Sequence, residues 1–328
     1  AGLTTYQTGR HGGGAGPIDR EEYLGGGLCK ARQQIPGPLA KYCQKPGESS
    51  DRGDHAVRSA GKQDFIVLRG KRVVDWGVDR EDWDSLARRY EADLLEIACE
   101  EGASALEEEI AALGDPERRI ADFGCGPGSL LPFLAKCFGE VIAVDYARDL
   151  LEAARVRCRS RKVVFECHDL SRGTGLETTV DVACCVNALI DPDAEKRAGM
   201  VRALVGSLKK KGVAVVVVPA LESVFHVYHT LVQIREREGK PAGLSPREAD
   251  EMMRAEVSSF ADGIVRVGGV LTKYWMREEL VALLADHRLR VTRMRRVEYG
   301  WKEEIEHVPR WVQGARPWDW LVVAEHGK

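Results

Sequence analysis

Strand-like apolar stretches recur through the middle of the chain, at residues 120–123, 141–144, 163–167, 180–186 and 213–218, and between them apolar residues return every three or four positions. The first pattern suits strands buried on both faces, and the second suits helices with one apolar side. Leu130, Leu131, Leu134, Cys137 and Phe138 make one helical stripe, Leu150, Leu151 and Ala154 a second, and residues 194–208 a third. Strand alternating with helix predicts an α/β domain built on a parallel sheet. Two more strands follow at residues 289–298 and 320–325. Upstream, residues 65–68 read as the start of folded structure. Asp79 to Asp82 then open a helix whose stripe is Trp83, Leu86, Tyr90, Leu94 and Ile97.

Two connections are too long for simple α/β turns. The 70 residues between the fifth and sixth strands predict a cap insertion at about 221–275. It holds a helix after Pro219, a charged helix near residues 245–257 and a hairpin over residues 264–274 turning on Gly268 and Gly269. The second connection, residues 299–317, and the strand after it carry Trp301, Trp311, Trp318 and Trp320, four of the chain's seven tryptophans. They read either as an aromatic pocket mouth or as a staple over the sheet edge. Arg293, Arg295 and Arg296 read as the solvated face of an edge strand.

The sharpest chemical signal is Asp122-Phe123-Gly124-Cys125-Gly126-Pro127-Gly128, where a strand enters a glycine turn and a helix follows. Glycines at alternate positions let the backbone turn and a ligand approach closely. Asp145 ends the next strand 21 residues after Gly124, the place of an acid that faces ribose hydroxyls. A dinucleotide site needs G-x-G-x-x-G/A and rests a pyrophosphate on the helix. Here the pattern is G-x-G-x-G, and Asp122 would repel that pyrophosphate while suiting a cationic ammonium or sulfonium.

Residues 120–131 resemble motif I of class I S-adenosylmethionine-dependent methyltransferases, and the order of later motifs over residues 80–220 extends the resemblance. It implies a Rossmann-like, doubly wound, seven-stranded and mostly parallel sheet, with residues 320–325 in a reversed seventh strand. It also implies S-adenosyl-L-methionine as cofactor, bound by Asp122, Gly124, Cys125, Gly126, Gly128, Asp145, Tyr146, Asp169, Leu170 and Asn187. In the family an acid at the place of Asp169 binds the adenine amino group, and Asn187-Ala188-Leu189-Ile190 looks like motif IV. Trp83 or Tyr90 matches an aromatic that touches the methionine end, although core packing explains either equally well.

Composition bounds the rest. The chain has 328 residues, 44% of them hydrophobic, and a net charge of −3, which gives no general attraction to nucleic acid or anionic lipid. The absence of an acid or Asn followed by Pro-Pro at motif IV points the same way, to a small-molecule acceptor. Cysteines inside apolar strands, Cys184 and Cys185 among them, read as free thiols of a reducing compartment, and no apolar stretch is long enough to span a bilayer. The expected protein is intracellular and soluble, in cytoplasm or an organelle interior, with Ala1 left by leader removal or trimming. Residues 1–62 hold 13 of the 34 glycines and read as a flexible arm before a domain of residues 63–328. The arm is either a linker or a tether that orders on a protein partner.

If transfer needs a base, Asp191 and His226 are the candidates, while Tyr228, Tyr274, Tyr299 and Trp301 are the candidate substrate contacts. His226 and His229 share a helix face, but no cysteine or carboxylate stands at zinc-ligand spacing beside them, so no metal is expected. The rival reading is a catalytically silent methyltransferase-fold subunit or assembly factor of a larger complex.

Overall fold

The computed structural model describes residues 103–326 except 240–241, 268–269, 306–307 and 313. The arm of residues 1–62, the strand at 65–68, the helix bearing Trp83 and Tyr90, and the Gly268–Gly269 turn lie outside the described residues. Numbered over what is described, α1 is Ala103–Leu113, β1 Asp115–Phe123, α2 Leu131–Cys137, β2 Phe138–Asp145, α3 Arg148–Arg157, β3 Val163–Cys167 and β4 Val180–Val186. There follow α4 (Ala194–Ser207), β5 (Leu208–Pro219), α5 (Leu221–Glu238), α6 (Pro246–Glu256), β6 (Val257–Ser259), β7 (Ile264–Val267), β8 (Val270–Lys273), α7 (Arg277–Asp286), β9 (Leu289–Glu298) and β10 (Trp318–His326).

Seven strands form one sheet in the order β3-β2-β1-β4-β5-β10-β9. β1 to β5 pair in parallel, and β10 runs antiparallel to both β5 and β9. This is the Rossmann-like architecture with a reversed strand that the motifs imply. The apolar runs lack alternation because both faces of the sheet are covered. In β5, Ala214, Val216 and Val218 join a core with Val201 and Leu204 of α4 and Leu280 and Leu284 of α7. Val215 and Val217 point the other way, into a core with Ile110 of α1, Leu134 of α2 and Leu151 of α3.

The edge strand corrects one expectation. Arg293 and Arg295 are not merely solvated: Arg293 Nε lies 2.7 Å from Glu109 Oε2, and Arg295 contacts Glu108 at 2.8 Å and Glu109 at 3.2 Å. On the opposite face the Arg296 guanidinium stacks 3.9 Å from the centre of the Trp318 ring. Strand alternation sends residues 293 and 295 to α1 and residue 296 to the tryptophans, and each charge finds a partner on its side.

The insertion between β5 and α7 comprises α5, α6 and the three-stranded sheet β6-β7-β8. It leaves and returns through one clasp: Leu221 N donates to Trp275 O at 3.0 Å, and Trp275 N donates to Pro219 O at 2.8 Å. Trp275 Nε1 donates to Leu189 O at 2.9 Å, tying this base to the segment after β4. Lys273 is fully buried, and its Nζ donates to both Glu279 oxygens, at 2.6 and 2.7 Å, and to Asp262 O at 2.7 Å. The second long connection packs on the insertion, with Trp301, Ile305 and Val312 sharing a core with Tyr228, Leu231 and Ile234 of α5.

Candidate functional site

The glycine loop begins where β1 ends. Gly124 N and Cys125 N both donate to Val144 O of β2, at 2.8 and 3.0 Å, which bends the loop across the carboxyl ends of the two strands. Gly124 has φ +77, and a β-carbon there would lie 2.3 Å from Ala188 Cβ. No side chain fits, because the segment after β4 occupies that space. At Gly126, φ +53, a β-carbon would meet nothing within 4 Å, so here the loop faces open space.

Two acids define the electrostatics. Asp122 is 3% exposed. Burial, and then the nearby charge of Asp145, push its pKa from the usual carboxylate range up to about 7. Asp145 is bound into the loop: Oδ2 accepts from Gly126 N and Oδ1 from Ala147 N, both at 2.9 Å. It therefore fixes the loop's shape and the entry to α3, and a ribose diol would meet oxygens that already accept one bond each. Tyr146 follows it, half-buried, and Cys125 is buried within the loop. Burial, with Asp145 and Asp122 nearby, raises the Cys125 thiol well above its usual range, so it stays a thiol.

On the neighbouring edge, Asp169 caps a 3-10 turn, accepting from Ser171 N at 3.0 Å and Ser171 Oγ at 2.6 Å, while Leu170 is buried beneath. Asn187 follows β4 at φ 49. Its Nδ2 donates to Asp319 Oδ2 at 3.3 Å, and its buried Oδ1 has no partner among the described residues.

The catalytic and substrate candidates scatter. Asp191 Oδ1 accepts from Asp193 N at 2.8 Å, and Lys196 Nζ lies 3.4 Å from its Oδ2, which commits this carboxylate to the turn before α4. His226 sits against the rings of Trp301 and Trp318, with Nε2 2.8 Å from Ala315 O. His229 contacts Gln233 instead, so the two histidines do not converge. Among the described residues no group of three or more potential ligands could hold a metal ion. Tyr228 is 3% exposed and its hydroxyl donates to Glu256 at 2.7 Å. Trp301, 6% exposed, belongs to the interior of the insertion rather than to a pocket mouth, because α5 and the second connection close around it. Tyr274 and Tyr299 remain beside the sheet edge, where Tyr299 Oη donates to Glu304 Oε1 at 3.0 Å.

Sequence reasoning missed Asp319. It stands at the start of β10, opposite Pro219 of β5 and Val297 of β9, and is 5% exposed. Burial pushes its pKa up to about 7, with Asn187 lowering and Glu304 raising it. The signal was present: an acid between two tryptophans in an otherwise apolar strand buried on both faces is a buried charge in need of a reason.

Residues 120–212 match the family model described as a methyltransferase domain. Over 66 residues the chain is 36% identical to malonyl-[acyl-carrier protein] O-methyltransferase of Bacillus cereus, a stretch equal to 20% of this chain and 24% of that one. The chain thus spans about a quarter of that curated relative's length. A solved S-adenosylmethionine-dependent methyltransferase from Anabaena variabilis superposes with TM-score 0.51 at 15% identity, covering 77% of this chain and 98% of its own. Another, from Methanosarcina mazei, gives 0.48 at 18% identity over 72% and 99%. The family model lies over the motif-bearing strands β1 to β5, so residues 120–212 are similar to a methyltransferase domain, set in a sheet of the Rossmann-like order with a reversed strand.

Proposed function

We propose that this chain is an S-adenosylmethionine-dependent methyltransferase acting on a small-molecule acceptor. The observation that carries the reading is Asp122, a carboxylate only 3% exposed with a second acid, Asp145, nearby, beside a glycine loop that opens at Gly126. An acid held so costs stability unless a donor or cation completes it. A pyrophosphate would face both Asp122 and Asp145, whereas a ligand bearing an ammonium, a sulfonium and hydroxyls meets acceptors throughout. The residues that would hold it are Asp122, Gly124, Cys125, Gly126, Gly128, Asp145, Tyr146, Asp169, Leu170 and Asn187.

When bound, the sulfonium supplies an electrophilic methyl carbon. The chain's task is then to exclude water and to align the acceptor, and alignment alone contributes up to about 7–11 kcal/mol of barrier lowering. The insertion leaves from the carboxyl end of β5 and returns there, clasped at Pro219 and Trp275, and would shape the acceptor's entrance. A small acceptor is favoured because the net charge is −3 and the acceptor side carries buried acids.

The test is calorimetric. S-adenosylmethionine and S-adenosylhomocysteine are expected to bind one per chain, with NAD giving no heat. Because a cationic ligand favours ionised Asp122, affinity should rise with pH through about 7. Binding of NAD in preference, or steeply salt-dependent RNA binding, would refute the assignment.

A further inference from the structure

Asp319 is the buried acid that the cofactor cradle leaves unused. Because β10 is reversed, its beginning reaches the edge where the parallel strands end, and strand alternation turns Asp319 to the same side as Leu321, toward the core that holds Val215, Val217 and Val297. A continuous line of contacts joins it to the glycine loop: Gly124 abuts Ala188, Ala188 follows Asn187, and Asn187 Nδ2 donates to Asp319 at 3.3 Å. The charges of Asp319 and Glu304 both act on Tyr274 after β8 and on Tyr299 after β9, and Tyr228 is bonded to Glu256 on the insertion.

The charged group acting on Asp319 is another carboxylate, Glu304, and no cation acts on it among the described residues. Asn187 Oδ1, buried and without a partner among the described residues, adds an acceptor that lacks its donor. Buried polar groups are satisfied in the great majority of folded proteins, so this corner is complete only with a ligand. Its complement is a donor carrying positive charge. An anionic nucleophile such as a phenolate, thiolate or carboxylate would instead enter the field of two acids.

Resting on the methyltransferase reading, we propose that Asp319, held by Asn187, binds the methyl acceptor and takes its proton, and that this acceptor is an amine nitrogen arriving as an ammonium. The N–H proton passes to the Asp319 carboxylate, and its electron pair remains on nitrogen as a lone pair. That pair forms the new N–C bond to the methyl carbon while the C–S pair returns to sulfur. The product is a methylated ammonium and a neutral thioether, and Asp319 later returns the proton to solvent.

The test uses the full chain saturated with S-adenosylhomocysteine and benzylamine as probe, with benzyl alcohol and benzoate as neutral and anionic counterparts. At about pH 8 benzylamine should bind at least about tenfold tighter than either, the scale of one charge-assisted hydrogen bond. The preference should fade as pH falls through about 7 and Asp319 is protonated. Asp319→Asn should abolish the preference with S-adenosylhomocysteine affinity retained. Asn187→Gly, which suits the positive φ and removes the amide that favours the ionised carboxylate, should move the midpoint upward, a shift that a purely structural role would not produce. If Asp319→Asn does not fold, that midpoint decides alone. Equal binding of the three probes, a preference surviving Asp319→Asn, or an unmoved midpoint overturns the proposal. Failure of the wild type to bind S-adenosylhomocysteine appears at the first titration and overturns the methyltransferase reading along with it.

Discussion

The two ends of the sheet's functional edge are built differently. The proposed cofactor side draws largely on residues close in sequence: Asp122 and Asp145 lie on two consecutive strands, the glycines follow the first, and one β–loop–α–β unit places them all. The proposed acceptor side is assembled from distance. Asn187 and Asp319 are 132 residues apart, Trp318 N donates to Ser223 Oγ across 95 residues, and Trp320 Nε1 donates to Glu222 across 98. The local half presents a pattern shared by many proteins. The distant half exists only after the insertion and the reversed strand have docked, and that is where one methyltransferase would come to differ from another.

The largest expected effect falls on the docking itself. Trp320→Ala should destabilise the protein by about 3–5 kcal/mol by thermal or denaturant unfolding, since it empties a ring from the sheet core and removes the donor to Glu222 Oε2. A loss much smaller than this would mean that β10 is only loosely joined, and the contrast between the halves would shrink.

Next come the two raised acids, one in each half. Both Asp122 and Asp319 shift from 3.8 to about 7. A raised folded-state pKa gives stability that is full below the unfolded value and lost as pH climbs through the folded one. Wild-type stability should therefore fall between about pH 4 and pH 7. Asp122→Asn and Asp319→Asn should each be more stable than wild type at about pH 8, by up to about 4 kcal/mol at 1.36 kcal/mol per unit, and should match it near pH 4. Melting curves across this range check the sign. Only Asp122→Asn should also weaken S-adenosylmethionine binding, and equal weakening by both would merge the two halves into one site.

A smaller loss is expected at the insertion's base. Glu279→Gln leaves the fully buried Lys273 ammonium without its anion and should cost about 3 kcal/mol. Lys273→Met removes the charge with the pair and should cost clearly less. If the order reverses, the pair is held by the Asp262 carbonyl more than by Glu279.

The smallest effect is local. Asp145→Ala should weaken cofactor binding at least about tenfold, or about 1.4 kcal/mol, by releasing the Gly126 and Ala147 amides, with little change in melting temperature. Unchanged affinity would show that the loop holds its shape without the tether.

By itself the sequence determined the α/β class, the sheet's strands and the glycine turn, because strand burial, helical spacing and the need for glycine at positive φ are written in consecutive residues. Residues 163–167, 180–186 and 289–298 read as strands and are strands, and Asp122 declared itself by standing beside the glycines. The expectations for Asp191, His226, Tyr228 and Trp301 rested on nearness in sequence to the sheet edge. Side-chain direction and packing sent Asp191 into its own turn and Trp301 into the insertion's interior. Asp319 could be seen as an oddity in an apolar strand but not as Asn187's partner. Only the tertiary structure decided that pairing, because antiparallel docking of β10 between β5 and β9 sets which end of the strand meets the edge, and no local pattern encodes a contact across 132 residues.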